Sequence, residues 1–339
     1  MGVIWPLGAF AAYTLLVSCY WASELAEPKV MWNPAYYAFN FLAVIAFGRT
    51  SSWGPERFLR FFAGCMGASV LVQGVLAIPA FASAYRMTSG FNNPNQLGYY
   101  SVLAATVIAV AHRHVGLSAW IAGAGLGGSL FLAAVSLSKA AFLGVIAFGL
   151  LVVPRGARLV VPALAIVLIL AQFVPVSEVQ RRVTQRFESI GKDPDDSLEA
   201  RGYDLVWRYP EYLIFGAAEG TDYRFGRKVE IHSTFAAVLF YYGLPGMALF
   251  CWGLFRVWRL CRLGVFQFAA PALVYGLAHH GLRFTEFWLM LGYLCCTGAV
   301  IKIRHEVLPT REPRVGGVKT RRGRLRLSQA LPGIRSTWS

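Results

Sequence analysis

Apolar runs about 20 residues long recur along this chain, and that recurrence constrains the fold more than any other feature. A helix needs about that length to cross the hydrocarbon core of a bilayer, and its apolar residues come as a block rather than as a stripe. The chain is 339 residues long, 56% hydrophobic and only 14% charged. Runs of this kind exclude a soluble domain, and the lack of strict alternation excludes a membrane β-barrel. The reading is therefore an all-α, polytopic integral membrane protein with about ten spans. They are expected at roughly 4–20, 32–47, 58–82, 96–111, 117–135, 140–153, 159–176, 233–255, 266–279 and 285–301. The first run has no basic leading segment and no small-residue cleavage site, so it reads as a retained helix. Cys19, Cys65, Cys251, Cys261, Cys295 and Cys296 fall in or beside the spans without metal-clamping spacing, and read as packing residues.

Lys and Arg resist translocation and collect on the cytoplasmic side of short loops. Ten spans with both termini inside put Arg49, Arg57, Arg60, Arg113, Arg155, Arg158, Arg256, Arg259, Arg262 and the tail from Lys302 on that side. The opposite side keeps Lys29, Arg86, Lys139 and Arg283 in its short loops and span ends. The formal charge of +15 owes much to the tail, residues 304–339, which reads as disordered. A juxtamembrane basic tail is attracted to anionic inner-leaflet lipid, so no nucleic-acid partner is inferred.

The acids are placed differently. Eleven of the seventeen, from Glu178 to Glu230, fall between the seventh and eighth spans. That stretch, 177–231, reads as a long, polar, non-cytoplasmic loop. Its aromatic run Tyr203, Trp207, Tyr209, Tyr212 and Phe215 argues for a folded cap with one or two short helices.

On the same outer face the topology collects Arg86, the run Asn92-Asn93-Pro94-Asn95, Lys139, Arg201, Arg208, His232, His279, His280, Arg283 and Glu286. Charges at span ends facing one compartment suggest a cavity for an anionic ligand, and phosphate suits Arg and Lys. His232 stands where the loop meets the eighth span, a place for a general base titrating near neutral pH; an interfacial histidine bonded to backbone is the plainer alternative.

Four ordered segments resemble the O-antigen ligase and O-antigen polymerase superfamily of bacterial membrane glycosyltransferases. Phe91-Asn92-Asn93-Pro94-Asn95-Gln96-Leu97-Gly98 resembles its Asn-Pro-Asn turn, and Ser136-Leu137-Ser138-Lys139-Ala140 its Ser-x-Ser-Arg element. Arg201-Gly202-Tyr203-Asp204-Leu205-Val206-Trp207 resembles the Arg and Trp pair of the outer loop. Glu230-Ile231-His232-Ser233, with Tyr242-Gly243-Leu244-Pro245-Gly246, resembles the His-Asn element opening the next span. The resemblance covers about residues 86–253 of a transmembrane domain spanning 1–303. It departs from the family's pattern at Lys139, where Arg is usual, and at Ser233, where Asn is usual.

The resemblance implies an inner-membrane enzyme working on the periplasmic face. It moves a glycan from an undecaprenyl-diphosphate carrier to a hydroxyl of another glycan, of lipid A core or of a protein. His232 is then the base, and Arg201 with Lys139, and Arg86 as a third, neutralises the departing diphosphate. Asn93, Asn95, Arg208 and Trp207 complete the expected substrate-binding set. No metal or other cofactor is expected, since the acids at 193–196 read as a turn. The modest length and small outer loop favour joining polysaccharide repeats over ligation of finished glycan. A transporter of an anionic or lipid-linked solute is the alternative from another class.

Overall fold

The computed structural model describes residues 2–81, 88–141, 144, 147–148, 157–171, 177, 181, 184–185, 188, 199, 202–226 and 230–307. Among these residues the chain is helical and has no strand. Its helices are α1 (Trp5–Glu24), α2 (Trp32–Ser51), α3 (Pro55–Phe81), α4 (Pro94–Val110), α5 (Ala119–Ser136) and α6 (Ala157–Ala171). The short α7 (Asp204–Arg208) and α8 (Tyr212–Phe215) come next, then α9 (Thr234–Phe266), α10 (Ala270–Tyr275) and α11 (Thr285–Val307).

Five segments among the described residues are long and apolar enough to cross a membrane: Pro28–Ser51, Pro55–Ile78, Ala119–Ser136, Thr234–Cys261 and Thr285–Arg304. Shorter apolar helices lie at Val160–Leu170 and Gly264–Tyr275. The expected sixth span falls largely outside the described residues, as do most of 177–201 and the tail from 308. The expected ninth span is shortened: α9 runs on to Phe266, and α10 ends at Tyr275 before a turn that carries His279 and His280.

Two ends of the bundle can be told apart by their contacts. At one, Arg304 of α11 donates to Glu56 at the start of α3 (2.7 Å) and to the carbonyl of His114 beyond α4 (3.0 Å). Arg256 of α9 reaches the carbonyl of Gly2 at that same end. Gly2, the start of α3 and the end of α11 therefore lie at this end, with Arg256 and Arg304. The other end gathers the turn before α4, the turn after α5, α7 and α8, the start of α9 and the turn between α10 and α11.

Small residues set the closest helix approaches. A Cβ on Gly127 of α5 would sit 2.4 Å from the carbonyl oxygen of Ala163 on α6, and one on Gly125 would meet Gly67 of α3 at 3.3 Å. Helices that pack without a hydrophobic driving force rely on such contacts.

The departure from regular helix that matters most is in α9. Gly243 has φ +64°, and Pro245 two residues later has no N–H, so the carbonyl of Tyr241 loses its donor four residues on. The segment after α8 supplies donors instead: Ala217 N–H donates to Phe240 O (3.0 Å) and Ala218 N–H to Tyr241 O (2.9 Å). This loop was expected to be polar and outside the bundle. Its residues 216–219 and 221 are buried against the bundle, where Ala217 and Ala218 donate to α9 and the Tyr241 carbonyl needs a donor.

Gly243→Val is expected to lower the thermal unfolding midpoint of the purified protein, because the new Cβ would lie 2.7 Å from Ile214 O at a backbone φ that β-branched residues resist. The penalty is about 1–3 kcal/mol. Gly64→Ala, with nothing within 4 Å of its Cβ, is expected to leave the midpoint unchanged.

Candidate functional site

Glu219 is the centre of the site end. It follows Gly216-Ala217-Ala218, three small residues that let the loop lie flat against α9; a Cβ on Gly216 would meet Tyr241 O at 2.3 Å. Gly216 (φ +103°), Ala218 (φ +59°) and Gly220 (φ +88°) give the loop the bends that carry Glu219 inward. Its side chain has no solvent exposure.

An isolated buried carboxylate is costly, and this one is heavily paired. Arg283 Nε donates to Glu219 Oε1 (2.8 Å), and Arg283 Nη2 bonds both Glu219 and Glu230. Tyr37 of α2 donates to Glu219, and Tyr242 of α9 donates to it at 3.3 Å. His280 Nδ1 lies 3.4 Å from Glu219 Oε1, at ion-pair distance, yet is too poorly aligned for a hydrogen bond and has no other hydrogen-bond partner. Burial raises the Glu219 pKa, but Arg283, then His280 and the hydrogen bonds, outweigh it and hold the carboxyl below its ordinary value. Arg283 is raised despite its own burial, by Glu219 and then Glu230.

Arg283 is held in place from α2. Asn40 Nδ2 donates to the carbonyls of Leu282 (3.3 Å) and Arg283 (3.4 Å), while Thr285 donates to Asn40 Oδ1 (2.7 Å). Arg283 was expected among cations facing an anionic ligand. Two carboxylates pair with it instead.

Beside this network runs a histidine group. Thr234, the first residue of α9, binds the turn after α10 through N–H to Gly276 O (2.8 Å) and Oγ1 to His279 O (2.9 Å), and its Oγ1 accepts from Gly281 N–H (2.9 Å). His232 is partly buried and lies near enough to His279 and His280 to disfavour the charge of each. Burial lowers the His279 pKa to about 3, with smaller contributions from His280 and His232. Its ring stands edge-on to Tyr99, Tyr275 and Phe284, and its Nε2 is buried without a hydrogen-bond partner. Burial likewise lowers His280. Asp222 is pushed up to about 6, chiefly by burial, although Tyr241 donates to it.

The other expected elements reach the same end. Asn93 caps α4 by accepting from Gln96 N–H (2.9 Å), so its side chain serves the turn. Tyr275 Oη donates to the carbonyl of Asn95 (2.7 Å) and lies 2.8 Å from Ser138 Oγ, tying that turn and the element before Lys139 to α10. A Cβ on Gly202 would lie 3.1 Å from Ile231 Cα, so the residue after Arg201 rests on the residue before His232. Arg201 and Arg86 lie outside the described residues. Trp207 is exposed, and Arg208 is exposed and ion-paired with Asp204 (3.3 Å) and Glu199 (3.7 Å).

Glu219, Tyr37, Tyr242 and Asn40 were not expected at the site. An acid set among the small residues Gly216-Ala217-Ala218 and Gly220 is the signal that points to Glu219. Glu219, Glu230 and His280 also present donor atoms within 4.8 Å of one another, a set able to hold a metal ion. The guanidinium of Arg283 bridges both carboxylates and already supplies the positive charge, so a metal would have to displace it.

Models of known protein families and curated proteins were both compared with the chain, and none matches.

Glu219→Gln is expected to destabilise the purified protein by on the order of 2–3 kcal/mol, below the full cost of breaking a buried pair because about a third of the Arg283 side chain is exposed. Glu230→Gln, at a half-buried carboxylate, is expected to cost far less. Equal shifts in the unfolding midpoint would contradict the central place given to Glu219.

Proposed function

We propose that the chain is a multi-pass glycosyltransferase of the bacterial inner membrane. It has about ten spans, the basic end in the cytoplasm and the site end on the periplasmic side. It transfers a glycan from an undecaprenyl-diphosphate carrier to an acceptor sugar hydroxyl, joining repeats of a surface polysaccharide. The observation that carries this reading is convergence. The Asn93–Asn95 turn, the Ser136–Lys139 element, the segment starting at Gly202 and the Ile231–Ser233 entry to α9 are far apart in the chain, and they meet at one end of the bundle. These are the four segments that resemble the O-antigen ligase and polymerase superfamily.

In this reading the acceptor hydroxyl attacks the anomeric carbon, the bond from that carbon to the diphosphate oxygen breaks, and His232 takes the hydroxyl proton. Arg201 and Lys139, with Arg86, neutralise the charge left on the lipid diphosphate. The Glu219–Arg283 network holds the walls of the site and, with Arg283 already paired to two carboxylates, leaves the diphosphate to those other cations. Transfer of finished glycan to lipid A core or protein uses the same chemistry with another acceptor. The kink of α9 beside a buried charge network favours a second reading, a transporter, since discontinuous helices carry the binding sites of many transporters.

Purified protein in lipid, supplied with a lipid-diphosphate glycan and an acceptor, is expected to form product. His232→Ala is expected to lower the rate by about 10²- to 10⁴-fold with an unchanged unfolding midpoint. Near-normal turnover in that variant would remove His232 as the base. Movement of solute without product would favour the transporter.

A further inference from the structure

The stretch around α8 combines two properties that do not fit an aqueous loop. It sits deep beside the helices, and the exposed side chains of α8 itself are apolar. Tyr13 of α1 donates to Phe215 O (3.0 Å), and Tyr13 lies about three turns, or about 16 Å, before the end of α1 at Glu24. Ala217 and Ala218 bond carbonyls about 9–10 Å inside the spanning segment Thr234–Cys261.

At that depth Ile214 is 58% exposed and Phe215 71% exposed. They adjoin Leu244 of α9, 60% exposed, because Gly243 packs on Ile214 O. Leu16 and Tyr20, exposed on the same face of α1 as Tyr13, continue the surface on the other side. The patch thus lies between α1 and the spanning segment of α9.

Much of the backbone around the turn is also hydrogen-bonded within the protein, which suits an apolar medium. Gly216 N–H donates to Tyr212 O (2.8 Å) and Leu213 N–H to Pro210 O (3.0 Å), while Ala217 and Ala218 donate to α9. Phe215 O accepts from Tyr13, Gly216 O from Trp21 Nε1 (2.9 Å), and the carbonyls of Ala217 and Ala218 from Thr221 Oγ1 (3.0 and 2.8 Å).

We propose that residues 212–216 form a re-entrant turn whose Ile214 and Phe215 lie against the acyl chains of the bilayer, level with the kink of α9. The outer loop is then anchored in the membrane at one point, and Glu219 is delivered from the lipid side of the bundle rather than from the water above it. This requires only that the chain spans a membrane and holds whatever chemistry the site performs.

The test places nitroxide labels on Phe215→Cys and, separately, Ile214→Cys. The background carries serine at the exposed Cys19, Cys65 and Cys251. The full chain is reconstituted in phosphatidylcholine vesicles. Collision with oxygen, which concentrates in the bilayer, is compared with collision with a water-soluble nickel chelate. Both labels are expected to favour oxygen several-fold, and a label on Tyr223→Cys, beside Glu27 beyond the end of α1, is expected to favour nickel. Nickel-dominated collision at 214 and 215 would overturn the proposal by placing the turn in water. Shielding from both reagents would overturn it by showing that protein covers the patch.

Discussion

The site end depends on a backbone exchange. Pro245 withholds an N–H from the carbonyl of Tyr241, and Gly243 bends α9 at the same place. In water such a carbonyl would be solvated, but inside an apolar bundle it costs free energy until another donor arrives. The amides of Ala217 and Ala218 are those donors, and small residues at 216–218 are what allow the approach. Once that pairing is made, Glu219 has little freedom left, and it enters the bundle between α2, α9 and the turn before α11.

Bringing a carboxylate there sets the demand for the rest of the network. Arg283 answers it, and its guanidinium also binds Glu230. Tyr37 and Tyr242 saturate the carboxylate further, and Asn40 fixes the backbone that presents Arg283. Desolvation offsets much of the attraction within a buried network of this kind. The network keeps the cation of Arg283 occupied.

Much of this was legible in the sequence. The apolar runs located helices α1 to α5, α6, α9 and α11, since block hydrophobicity reports burial in an apolar medium directly. The aromatic run at 203–215 located the two short helices, and proline with asparagine located the start of α4. What was not legible depends on chain segments meeting in space. Polar composition at 177–231 reads as an aqueous loop, and only the small residues around Glu219 hint that 216–219 pack against carbonyls of a later helix. Arg283 reads as a span-end cation until Glu219 and Glu230 are seen beside it. The ninth apolar run overestimated a helix because composition does not register that Gly276 and the residues after it turn to meet Thr234.

Amide hydrogen exchange at Ala217 and Ala218, measured on the full chain in lipid nanodiscs, tests the central pairing most directly. Donation to the carbonyls of Phe240 and Tyr241 predicts protection comparable to the buried amides of α9. Exchange at the rate of an unprotected loop would show that the loop does not complete the kinked helix, and the placement of Glu219 would fall with it.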